Sequence, residues 1–161
     1  MSKGLIETSK GTLEIEFFDD DAPNTVKNFI ELAQKGYYNG LKFHRVVDDF
    51  VVQGGDPTGT GAGGPGYAVP CELSGKKQIH KNGALSMAHA GRDTGGSQFF
   101  IVLNEKNCEH LNRKHTVFGQ VTKGFENVQK IRQGDVMKKV EITSVDPETK
   151  NRQLKKLPGR K

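Results

Sequence analysis

The spacing of apolar residues changes along this chain. Within residues 5–18, Leu13, Ile15 and Phe17 alternate with Glu14 and Glu16. That is the two-residue period of a half-buried strand, and Ser9, Lys10 and Gly11 supply a turn, so the segment predicts a hairpin. Across residues 19–36 the period lengthens. Val26, Phe29, Ile30 and Ala33 share one face of a helix, three aspartates and Pro23 mark its start, and Gly36 marks its end. Beyond Gly36 the apolar runs shorten to strand length: LKFHRVV, FVVQ, ALSMA, SQFFIVL and HTVFGQV, rich in β-branched and aromatic residues and separated by glycines. Residues 54–66, GGDPTGTGAGGPG, are almost all turn material. GFENVQKIRQG (124–134) predicts a second, short helix with Phe125, Val128 and Ile131 on one face. KKVEITSV predicts a last strand with Val140 and Ile142 inward. Many short strands and two helices predict a mainly β fold, a closed antiparallel barrel with the helices at its ends.

Length and charge refine this picture. The 161 residues suffice for one domain with its own core, and no linker or repeat divides residues 1–146. No stretch approaches the ~20 apolar residues that span a bilayer. The N-terminus lacks the apolar segment and cleavage site of a signal peptide. Two cysteines, Cys71 and Cys108, are too few for a disulfide scaffold. A cytoplasmic, reduced protein is expected, and a monomer, because no apolar stripe is left unexplained. The net charge of +5 invites a nucleic-acid partner, but its location matters. Of 24 Lys/Arg and 19 Asp/Glu, six and one fall in residues 147–161, leaving 18 of each sign in the rest. Those fifteen residues predict a basic, flexible tail, able at most to make weak contacts with nucleic acid or another acidic partner.

Familiar chemistries do not fit. A phosphate loop needs a Lys-Ser/Thr pair opening a helix, which the glycine-rich stretch lacks. TGGSQFF places Phe99 where a nucleophile elbow after Ser97 needs glycine. Cys71, His80, Cys108 and His110 lack the paired spacing of a zinc site. What remains is Arg45, a fixed cation with a planar fork of donors, and apolar Phe50, Val51 and Phe100 near Gln53 and Gln98. Strand alternation puts Val51 with Gln53, and Gln98 with Phe100, on common faces. His44, one residue earlier than Arg45, is expected on the opposite face. An apolar slot with a few placed polar groups is how small-ligand sites are built; ordinary core aromatics give the same pattern.

FHRVVDDFVVQGGDPTGTGAGGPG, GALSMAHAGRDTGGSQFFIVL and HLNRKHTVFGQV, in this order and with the APNTVKNFIEL helix, resemble the cyclophilin family of peptidyl-prolyl cis-trans isomerases, most closely its short single-domain bacterial members. The resemblance covers residues 4 to about 143. It implies an eight-stranded antiparallel β-barrel capped by two helices, rotation about X-Pro peptide bonds in protein folding, and no cofactor or metal. By motif it implies catalysis by Arg45 with Gln53, Phe50 and His115. Substrate binding falls to His44, Val51 and Gly61, to Ala88, His89 and Ala90, and to Gln98, Phe100, His110 and Leu111. The chain departs from the family pattern at His110, where many cyclosporin-binding members carry Trp. Reduced cyclosporin affinity with catalysis retained is therefore expected. Val51 stands where many members have Met, and His89 where many have Asn.

Overall fold

A computed structural model describes residues 1–159. The predicted hairpin is β1 (Lys3–Thr8) and β2 (Gly11–Phe17), registered from Lys3 opposite Glu16 to Thr8 opposite Gly11. The Thr8 hydroxyl locks the turn by donating to the Gly11 carbonyl oxygen at 2.7 Å. Next comes α1 (Pro23–Gln34), which buries Val26, Phe29, Ile30 and Ala33 as its periodicity demands. The remaining strands are β3 (Arg45–Val47), β4 (Val51–Gly54), β5 (Tyr67–Ala68), β6 (Ala84–Met87), β7 (Phe99–Val102), β8 (Val117–Lys123), β9 (Met137–Ser144) and β10 (Leu157–Pro158). Eight of them form one curled sheet in the order β3-β4-β7-β6-β8-β2-β1-β9, every pairing antiparallel.

The sheet is a half-barrel rather than the closed barrel expected, because β3 and β9 remain edges of the ladder. The seam between them is bridged by irregular chain. Gly40 N–H donates to the Met137 carbonyl oxygen (2.7 Å), Met137 N–H to Leu41 (2.8 Å), and Phe43 N–H to Asp135 (2.8 Å). This explains why the LKFHRVV run becomes a strand only at Arg45: its first residues pair across the seam instead.

Inside the curl lies the main core. Phe29 of α1 sits at its centre, with ring centroids 4.8 Å from Tyr38, 5.5 Å from Phe99 and 5.4 Å from Phe17 and Phe118. Central strands are buried on both faces. Val52, Leu85, Phe99 and Ile101 enter this core, whereas their neighbours Val51, Ala84, Phe100 and Val102 build a second, smaller cluster on the outer face. That outer cluster carries the candidate site.

The second predicted helix is shorter than expected. Only Phe125–Val128 (α2) is α-helical, after which Lys130 and Ile131 bond three residues back and Asp135 takes the Arg132 N–H at 2.7 Å. Val128 and Ile131 are nonetheless buried. A third helix, α3 (Pro147–Asn151), lies in the run expected to be a tail. Buried Thr149 donates its hydroxyl to the buried Asp19 carboxylate, which also accepts the Ser2 N–H (2.7 Å) and hydroxyl (2.6 Å). The chain then runs past α1, where Asn24 and Lys155 exchange two hydrogen bonds of 2.7 and 3.0 Å, and β10 pairs with β5. Composition read residues 147–159 as solvated; long-range hydrogen bonds dock them instead. Residues 160 and 161 of the expected tail lie outside the described residues. Among the described residues no helix is long and apolar enough to cross a membrane.

Candidate active site

Register assembles the site. Across β3, β4, β7 and β6, Arg45 lies opposite Gln53, Gln53 opposite Phe100, and Phe100 opposite Ser86, so four residues distant in sequence form one row on the outer face. Its first three members, Arg45, Gln53 and Phe100, line a groove of about 710 Å³. Arg45 is exposed, whereas Phe100 and Val51 are buried at the floor. Phe50 and Leu111 pack on the same cluster, half-buried.

The polar groups form a relay. Arg45 Nη1 donates to Gln53 Oε1 (3.2 Å), Gln53 Nε2 to Gln98 Oε1 (3.3 Å), and Gln98 Nε2 to the carbonyl oxygens of Gly61 (2.9 Å) and Gly63 (3.0 Å). The glycine loop is held from beneath by Asp56, which is 1% exposed. Its carboxylate accepts N–H groups of Thr58 (2.8 Å), Thr60 (3.0 Å) and Gly61 (2.6 Å) and the Thr58 hydroxyl. Burial opposes its ionisation, but the bonds from Thr58, Gly63 and Gly61 together outweigh that and bring it down to about 2. Only glycine fits at position 63, where a Cβ would lie 2.1 Å from Asp56 Oδ1.

Histidines close the other side. His115 donates from Nδ1 to the Met87 carbonyl oxygen (2.8 Å), meets Phe100 edge-on at 5.6 Å and stacks on His89 at 4.0 Å. Desolvation lowers the His115 pKa, reinforced by His89 and His110 against the pull of Met87. His89 donates to the Lys114 carbonyl oxygen (2.9 Å) and accepts the Gly91 N–H (3.3 Å); with Ala88 and Ala90 it lines the groove. His44 also lines it, contrary to the expected opposite face. It lies just outside β3, where strand alternation no longer governs, and its ring rests against Gly61 with Nδ1 buried and unpartnered. His110 differs from the expectation too. It stands outside the groove lining, exposed and stacked on Phe50 with centroids 5.8 Å apart.

Two residues that support the site are not predicted as part of it, His80 entering only as a candidate zinc ligand. Asp56 carried a signal, since Asp-Pro-Thr-Gly is a side-chain-capped turn sequence. His80 carried none. Its partners Ser86 (Nε2 to Oγ, 2.8 Å) and Asn112 (Nδ1 to Oδ1, 2.9 Å) are brought to it by folding, and it stacks under Phe100 at 5.7 Å. Among the described residues no three His, Cys, Asp or Glu side chains converge as a metal site would require.

His80 makes stability pH-dependent. Burial lowers its pKa to about 4, against the Asn112 bond, with His115 and His110 adding to the lowering. An unfolded histidine titrates near 6.5. Between these values the unfolded chain binds the extra proton, so this stabilisation is complete above pH 6.5 and is lost as pH falls towards 4, by about 3 kcal/mol. Urea unfolding at pH 7 and pH 4.5 should show the loss, and His80→Phe should flatten that part of the slope.

The sheet and groove define a mainly β protein in which an exposed arginine stands in one row with a buried apolar floor. Among solved structures, a Cryptosporidium parvum cyclophilin type peptidyl-prolyl cis-trans isomerase superposes with a TM-score of 0.80 at 33% identity, covering 91% of this chain and all of that one; it was also crystallised in the presence of the dipeptide Ala-Pro. The sequence profile described as cyclophilin type peptidyl-prolyl cis-trans isomerase/CLD matches residues 5–150. Peptidyl-prolyl cis-trans isomerase B of Bacillus subtilis is 56% identical over 130 residues, covering 81% of this chain and 90% of the relative. A peptidyl-prolyl cis-trans isomerase of Helicobacter pylori is 51% identical over 141 residues, covering 86% and 85%. The chain belongs to the cyclophilin-type peptidyl-prolyl cis-trans isomerases.

Proposed function

We propose that the groove catalyses rotation about X-Pro bonds in unfolded or flexible polypeptides, with Arg45 as the donor that stabilises the twisted amide. The row Arg45-Gln53-Phe100 carries the reading, because it sets a guanidinium beside a buried apolar floor. No covalent bond has to change. The barrier of ~18–20 kcal/mol reflects the double-bond character of the amide. At 90° of twist the resonance is lost, and the proline nitrogen becomes pyramidal and gains a lone pair. A donor aimed at that lone pair binds the twisted state better than either planar isomer, which is what lowers a barrier. Arg45 suits this because it stays charged and needs no proton transfer.

The floor of Phe100, Val51, Phe50 and Leu111, edged by His115, takes the ring. Gln53 orients the guanidinium by accepting from it, and the Gln98 relay fixes Gln53 in turn. Gln53 and the backbone at His89 hold the neighbouring peptide groups while one side of the bond turns. Exchange NMR on a proline-containing peptide tests the reading: catalytic amounts of protein should speed cis-trans exchange, and an unchanged rate would end it.

Cyclosporin should bind weakly, because His110 stands against Phe50 where the resemblance places an indole donor. The variant His110→Trp is expected to tighten binding about tenfold, the worth of one added hydrogen bond of ~1.4 kcal/mol. Inhibition of isomerase activity measures it. Equal inhibition of both proteins would show that position 110 does not limit the drug.

A further inference from the structure

We infer that the C-terminal strap, residues 152–159, is a wall of the groove and biases it towards substrates with an acidic side chain near the proline. This rests on the isomerase reading and names a substrate class for the same site. Gly159 lines the groove. It is held there by the β10–β5 pairing, Leu157 with Ala68 and Pro158 with Tyr67, and a Cβ on Gly159 would lie 2.7 Å from the Gly66 carbonyl oxygen. The strap's backbone and the rim of the glycine loop are therefore in direct contact, with no room for solvent between them. Two anchors fix its course before it reaches the rim, the Thr149–Asp19 bond and the paired Asn24–Lys155 bonds.

The charge argument follows. The groove lining contains no Asp or Glu among the described residues, and its one permanent charge is Arg45. The glycine-loop side of the same groove, the compartment next to Gln98, has in its lining the neutral run from Thr60 to Ala68 together with Thr94 and Gly96. The strap brings cations to that neutral rim. Lys156 Nζ stands 4.4 Å from the Tyr67 ring centroid, and Tyr67 lines the compartment. Lys155 is exposed beside it. Glu31, whose charge acts on Tyr67, is paired with Lys27 at 3.7 Å. A peptide leaving the proline floor past Gln98 thus meets two lysines at the rim, while the anions near it are Asp56, buried beneath the glycine loop with its oxygens taken up by backbone N–H groups, and Glu31, paired with Lys27. Exposed charges at such range are worth small factors and are screened by salt.

The test uses proline peptides with Glu, Gln or Lys placed in turn at each of three positions on either side of the X-Pro bond. kcat/KM is compared for the full chain, for a chain ending at Asn151, which keeps the Thr149 anchor, and for the full chain with Lys155→Glu and Lys156→Glu. The full chain should favour Glu over Gln about 2- to 5-fold at one or more positions at low salt. The preference should fade at 0.5 M salt and in the truncated chain, and invert towards Lys in the charge-reversed chain, whose fold is intact even if truncation unfolds. No acidic preference in the full chain, or one undiminished by charge reversal, overturns the inference. NMR titration of the same peptides reads the preference without turnover. Absent turnover with the preference kept would therefore count against the isomerase reading and not against the strap.

Discussion

Replacing Arg45 by alanine should lower kcat/KM for X-Pro isomerisation about 10²-fold and leave the fold unchanged. The rate loss follows from removing a preorganised donor, which typically costs ~3 kcal/mol of transition-state stabilisation. In the proposed mechanism the guanidinium contributes differently to ground state and twisted state, because only the twisted amide offers a nitrogen lone pair to it. kcat should therefore fall, with KM little altered. Stability should change by about 0.5 kcal/mol or less, because Arg45 is exposed and its single side-chain bond, to Gln53, is solvent-accessible. The variant Arg45→Lys separates charge from geometry. A lysine keeps the cation but cannot hold Gln53 Oε1 and the proline nitrogen with a planar fork, so it should recover only part of the loss. A protease-coupled or exchange assay, beside a thermal melt, measures both quantities. Wild-type turnover in Arg45→Ala would remove the arginine from the mechanism.

The second large effect is expected from Phe100→Ala. The side chain is 4% exposed, stacks on His80, meets His115 edge-on and lies opposite both Gln53 and Ser86. Truncating a buried phenylalanine costs ~3–5 kcal/mol. At ~2–4 °C per kcal/mol for a chain of this size, the melting temperature should drop by roughly 10 °C. The chemistry should suffer separately, since in the proposed mechanism the ring is the floor that takes the proline. Phe100→Leu keeps much of the volume but not the flat surface shared with His80. It should restore most of the stability and little of the activity, a contrast visible when melts and kcat/KM are set side by side. Parallel recovery of both would mean that Phe100 serves packing alone.

Much of the scaffold was legible because local pattern and tertiary need agree. Helix α1 has its apolar residues at helical spacing with Pro23 at the start, and the β1–β2 hairpin has clean alternation around a Ser-Lys-Gly turn. Agreement ends where long-range bonds decide. The α2 segment has a helical face, yet Asp135 captures the Arg132 N–H and tightens the chain. Residues 147–159 are basic and polar, but Asp19 and Asn24, more than a hundred positions earlier, dock them. The site divides similarly. Resemblance named Arg45, Gln53 and Phe100, whereas their meeting depends on the register of three strands, which no single strand's sequence contains. His80 lies outside every sequence cue, since a buried neutral imidazole is recognisable only from what surrounds it.

The unzipped seam has a consequence for how the protein responds to heat. Arg45 sits on β3, a three-residue edge strand held by one ladder neighbour and, through residues 40–43, by a few irregular bonds to the opposite edge. Such a segment opens at far lower free energy than the doubly flanked β6 or β8. The guanidinium thus rides on a sub-global unfolding unit, whereas Phe100 beneath it sits on β7, flanked by β4 and β6. Warming should therefore free Arg45 from Phe100 first, with amide protons at 45–47 exchanging with solvent while those at 84–87 are still protected.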